Sequence, residues 1–135
     1  MEYFPDSESL MSMKNLDYQI LSTFYMKNKR LEEAHRKDLA RVIITSIFEK
    51  NPETRLTTDQ FIHLSHVIVS VFETEVKETY YIPSKKSSSP KGKLYSQYNN
   101  YREKMYDVGL ITRNAREKTK TNEPQFNEMI KIEKS

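Results

Sequence analysis

Few residues in this chain have the types and spacing that chemistry needs, and histidine comes first. His63 and His66 are three apart, so a helix would turn both toward one ion, with Asp59 a turn earlier. Zinc takes four ligands in a tetrahedron, and with His35 as the only other histidine and no cysteine, the set is too small. One histidine is expected to be partly buried and the other solvated, with no metal bound. Ser87, Ser88 and Ser89 have no histidine base nearby in sequence. Phosphate-cradling glycine loops and the Gly-x-Ser-x-Gly turn are both missing. The reading is a non-enzyme that needs no cofactor.

The remaining groups suit binding. Tyr95, Asn99, Arg102 and Tyr106 share one side of a stretch from Lys91 to Ile111. Tyrosine next to arginine is the composition of a protein-interface anchor, so these four are the candidate partner-binding residues. Lys85, Lys86, Lys91 and Lys93 lie just upstream; with Arg102 they form a second candidate set, for the phosphates of a nucleic acid. Asn99, Asn100 and Arg102 are too few to read bases densely, so any DNA contact would be mostly to phosphate. Ser89-Pro90 among these lysines has the form of a phosphorylation site, and Lys85–Lys93 that of a nuclear-import signal.

These groups need elements to hold them. Leu94, Tyr98, Tyr101, Met105 and Val108 recur at steps of four and three, one stripe of a helix. Gly109 follows as its left-handed stop, and Leu110 and Ile111 are the expected contacts back onto the last turn. Leu16, Ile20 and Phe24 mark a short helix over about 16–26. A longer one runs from Leu31 to Lys50, through Leu39, Val42, Ile43, Ile44, Ile47 and Phe48, with Glu32–Arg36 and Asp38–Arg41 as its ion pairs. Asn51-Pro52 closes it. Thr57 and Gln60 form a capping box ahead of Phe61, Leu64, Ile68, Val71 and Phe72. The β-branched run 66–72 would suit a strand, but capping and spacing favour a helix. Pro83 keeps Ile82 extended, so Tyr80-Tyr81-Ile82-Pro83 reads as a strap over the core, followed by a flexible basic loop.

The expected fold is therefore all-α: a small bundle of about four helices, a Tyr-Tyr-Ile-Pro strap, and a basic loop before the last helix. Residues 1–15 read as a flexible acidic lead-in, 16–111 as the folded domain, and 112–135 as disordered or ordered only by a partner, for instance through Phe126, Met129 and Ile130. Two glycines in 135 residues argue against an all-β fold. No apolar run reaches the roughly 18 residues that span a membrane. The opening Met-Glu-Tyr-Phe-Pro-Asp has neither the basic stretch nor the apolar run expected of a secretion signal, and the lack of cysteine suits a reducing, intracellular setting. Residues 1–83 hold 10 Lys/Arg against 13 Asp/Glu, and residues 84–135 hold 12 against 6. Such a split points the second half at an acidic or polyanionic partner.

The order of Arg36, then Phe72 and Glu75, then Tyr80–Pro83, then Gly92–Arg102 resembles a helical segment of many uncharacterised animal proteins. Some of those proteins also carry sterile alpha motif or zinc-finger domains. The resemblance covers about residues 31–111. It implies a nuclear, chromatin-linked setting and supplies no catalytic residue. The expectation is an adaptor module in a longer nuclear regulatory protein that binds a protein partner. DNA binding through 84–102 and homodimerisation are the alternatives.

Overall fold

The computed structural model describes residues 4–113. Among the described residues there are six helices: α1 (Ser7–Met11), α2 (Leu16–Asn28), α3 (Glu33–Lys50), α4 (Thr58–Val71), α5 (Lys77–Tyr80) and α6 (Lys93–Val108). The all-α expectation holds, with two short helices added to the expected four. The expected tail beyond residue 113, with its Phe126, Met129 and Ile130, lies outside the described residues.

The N-terminal segment departs from the flexible lead-in read from its sequence. Asp6 caps α1 by accepting the Ser9 N–H at 2.8 Å, and Ser9 Oγ accepts the Asp6 N–H in return. That box satisfies end groups a short helix would otherwise leave open. Leu10 is completely buried, and α1 packs on α4. The Phe4 ring lies 5.5 Å from the His63 ring, and the Pro5 carbonyl is 3.3 Å from His63 Nε2. One buried leucine and a cap outweigh the acidic, aperiodic composition that suggested disorder.

Helix α3 is the centre of the bundle, packing most extensively on α6 and then on α2. Leu39, Val42, Ile43, Ile44, Ile47 and Phe48 are all buried, as their widening pattern requires. Helix α2 corrects the sequence reading. It is capped by Asn15, whose side chain accepts the Tyr18 N–H, and closed by Lys29 in the left-handed region with φ 59°. Its buried side is Tyr18 and Leu21, with Tyr25 half-buried; Tyr18 and Tyr25 meet Phe72 edge-on, the latter at 5.0 Å. Leu16 and Ile20, expected to face the core, are 69% and 54% exposed. The helix is apolar around much of its circumference, and the side that finds an aromatic partner is the side that turns inward. The expected Glu32–Arg36 pair is also replaced: Glu32 meets Arg30, while Arg36 meets Glu33 and Glu75.

Helix α4 follows the capping box as read: Gln60 N–H donates to Thr57 Oγ1 at 3.1 Å and Thr57 N–H to Gln60 Oε1 at 2.9 Å. Phe61, Leu64, Ile68 and Phe72 are buried, and residues 66–71 are helical. Tyr81 stacks flat on Phe61, at 4.7 Å and 6° between planes, so it does cover the core, but the expected strap is shorter than read: Tyr80 closes α5 and extended backbone begins at Tyr81. The basic loop is more ordered than its composition suggests. Ile82 pairs with Lys91 and Lys85 with Ser88 in antiparallel bridges, each with both backbone hydrogen bonds formed.

Gly92 joins this hairpin to α6 with φ 117°, and a Cβ there would lie 2.4 Å from the Tyr80 carbonyl oxygen. No other residue type fits that junction without displacing the strap. Along α6, Leu94, Tyr98 and Met105 are buried and Tyr101 is half-buried. Val108, read as part of the stripe, is instead 79% exposed, in the last turn of the helix. Gly109 takes the left-handed stop at φ 82°; Ile111 is buried, and Leu110 turns outward.

Candidate functional site

Three of the four residues read as a partner surface are drawn at least partly into the fold. Arg102 is only 7% exposed; its Nη1 donates to the Thr54 carbonyl at 3.2 Å, its Nη2 donates to the Tyr106 hydroxyl, and its guanidinium lies 5.6 Å from the centre of the Tyr98 ring. Tyr95 is half-buried, edge-on to Phe61 at 5.7 Å. Tyr106 is half-buried against the guanidinium groups of Arg102 and Arg113. Only Asn99 is exposed. The physical reason lies in the α3–α4 connection. Residues 51–57 cross beside α6, and the Leu56 N–H donates to the Tyr98 hydroxyl at 3.2 Å. The side of α6 that looked free in sequence is covered by a loop that periodicity does not report.

The lysine set divides. Lys85, Lys86 and Lys91 are exposed on the bridged hairpin and make no ion pair among the described residues. Lys93 is committed to Glu33. Among the described residues no three His, Cys, Asp or Glu side chains group closely enough to hold a metal, and His63 is occupied with Pro5 and Phe4. No helix among them is long and apolar enough to cross a membrane.

The most deeply placed charge was not read as a site. Glu75 has a side chain 1% exposed, between α4 and α5. It accepts Arg36 Nε at 2.9 Å and the Tyr80 hydroxyl on the same oxygen, Oε1. Hydrogen bonding to Glu75 raises the Arg36 guanidinium pKa further, and burial followed by the Glu75 bond pushes the Tyr80 phenol far above its ordinary range. Glu75 and Tyr80 are near neighbours in the chain, and Arg36 reaches the same corner from α3, far earlier in the sequence. A buried carboxylate that accepts from both a guanidinium and a phenol ties α3 to α5, and so acts as a clamp on the fold. Nothing local marked it, since Glu73, Glu75 and Glu78 all lie between the end of α4 and the tyrosine pair.

Beside this clamp opens a cleft of about 500 Å3, between the starts of α3 and α6. Glu33 and Lys37 border it from α3, and Gly92, Lys93, Ser96 and Gln97 from α6. Lys93, then Arg36, holds the Glu33 carboxyl below the usual carboxylate range. The cleft has donors and one acid but no nucleophile set against a base. No family model, curated protein or solved structure matches this chain.

Proposed function

We propose that this chain is a non-enzymatic helical interaction module whose partner contributes an amphipathic segment with acidic flanks. One observation carries the reading: the exposed Leu16–Ile20 stripe of α2, at 69% and 54% exposure, with Met11 and Met26 exposed near its two ends. Apolar side chains grouped in water mark an association surface more often than a solvated one. Exposed Lys14 stands before the stripe, and exposed Lys27 and Lys29 after it, while Asp17 is engaged by Arg41 at 2.7 Å. A partner with apolar residues in its centre and carboxylates at its ends matches that charge pattern. The nuclear setting rests on the exposed Lys85, Lys86 and Lys91 as an import signal.

A photo-crosslinking residue at position 20 should trap a partner that the same residue at exposed Glu49 does not. The purified partner should then lose about 100-fold or more in affinity for Leu16→Glu/Ile20→Glu, a loss of about 3 kcal/mol. If the trapped species is a second copy of this chain and sedimentation shows a dimer, the module is a homodimer instead. Equal trapping at both positions rejects the α2 surface.

A second reading, phosphate contact with DNA, is favoured by three exposed lysines held on a bridged hairpin. It requires duplex affinity that falls steeply with salt and drops for every sequence alike in Lys85→Ala/Lys86→Ala/Lys91→Ala.

A further inference from the structure

The start of α6 offers donors that nothing in the described residues uses. Its N-cap is Gly92, which has no side chain to cap with. The first α6 N–H to find a carbonyl is Ser96, which donates to Gly92 at 3.0 Å; Lys93, Leu94 and Tyr95 have no acceptor among the described residues. These N–H groups stand at the positive end of a 16-residue helix. A second observation is independent of the helix end. Gln97 lines the cleft one turn on, is 9% exposed, and has no hydrogen-bond partner among the described residues. Buried carboxamides are almost always bonded, so this one points to a ligand that satisfies it.

We infer that the cleft between the starts of α3 and α6 binds the carboxylate of a peptide. The charge of the site selects the anion. Lys37 and Lys93 bring two positive charges and Glu33 one negative, leaving a single net positive charge for one carboxylate. A dianionic phosphate would be left half-compensated and would face the Glu33 oxygens. Lys37 makes no ion pair among the described residues and is the cation open to the ligand. The Gln97 amide has a donor and an acceptor, the complement of a peptide group next to the carboxylate. A chain terminus and an aspartate or glutamate side chain present the same group, and both are available from a peptide. That the ligand is a peptide, rather than a free acid, rests on the interaction-module reading above.

The test is a titration of the 15N-labelled chain with three probes: N-acetylglycine for a chain terminus, N-acetylglutamate α-amide for an acidic side chain, and inorganic phosphate. Saturable shifts are expected at the backbone amides of residues 93–95 and the Gln97 side-chain amide, at about millimolar dissociation constants. Phosphate should bind at least about tenfold more weakly than the better carboxylate. Whichever carboxylate binds more tightly identifies the source. Gln97→Leu keeps the side chain's bulk and should weaken binding about tenfold. Lys37→Glu, an exposed change that leaves the fold alone, should abolish it. No saturable shift with either carboxylate, tighter binding of phosphate, or unchanged binding in both variants overturns the proposal. Because these probes never touch α2, their failure would leave the Leu16–Ile20 surface standing, and failure of the crosslinking test would leave this cleft standing.

Discussion

Helices α2 and α6 were read from the same kind of evidence and came out opposite. Each has apolar residues at helical spacing. In α6 Leu94, Tyr98 and Met105 are buried, with Tyr98 between Phe48 of α3 and Phe61 of α4; in α2 Leu16 and Ile20 face water, and only Phe24 of that stripe is half-buried, on His35. The other side of α6 carries Tyr95 and Tyr106, which are only half-buried, so its more apolar face is the one that turns fully inward. The other side of α2 holds Tyr18, Leu21 and Tyr25, an equally apolar alternative with larger rings. Where two faces compete, the larger contact wins, and here that is the edge-on packing on Phe72. The face left over became available for a partner.

That contrast can be broken by mutation, beginning with the largest effect. Leu94→Ala, in the fully buried stripe, should cost about 2–5 kcal/mol of unfolding free energy in urea. A cost under about 1 kcal/mol would mean that α6 is not docked as described. Gly92→Ala belongs in the same range, through strain instead of a cavity, since its Cβ would overlap the Tyr80 backbone. Tyr95→Ala sharpens the correction to α6: a half-buried ring on Phe61 should cost about 1–3 kcal/mol, where an exposed anchor would cost almost nothing. At the small end, Leu16→Ala and Ile20→Ala should each stay within about 0.5 kcal/mol of the parent. A large loss at either would place the α2 stripe in the core after all.

The Glu75 clamp gives the comparison a pH arm. The folded Tyr80 phenol has a pKa raised above its ordinary value of 10.0, first by burial and then by Glu75. A raised folded value means the stabilisation is complete below the unfolded pKa. It is lost progressively as the pH rises above about 10, where only the unfolded phenol ionises. Thermal unfolding measured from pH 8 to 11 should show a falling midpoint, with a shallower fall in Tyr80→Phe. An identical slope in both proteins would show that Tyr80 is not held as described.

Part of the site was legible and part was not. The lysines at 85, 86 and 91 stayed exposed because the hairpin between Ile82 and Lys91 is rich in serine and has no apolar side chain near its tip to draw it inward. Arg102 was misplaced because its position off the stripe said only that it avoids α3, and the 51–57 loop then covered it. The Glu75 clamp and the Gln97 cleft each need groups from segments tens of residues apart, and no local pattern reports such meetings.

By itself the sequence determined the helical class, the capping of α4 at Thr57 and Gln60, the left-handed stop at Gly109, and the burial of α3. These follow from interactions reaching at most about four residues along the chain, or from a residue so apolar that every compact arrangement buries it. Tertiary structure alone decided which face of α2 turned inward, that residues 4–11 dock, and that Arg36, Glu75 and Tyr80 share one buried corner. Those outcomes depend on which surfaces compete for the same space, a comparison that exists only once the helices are packed together.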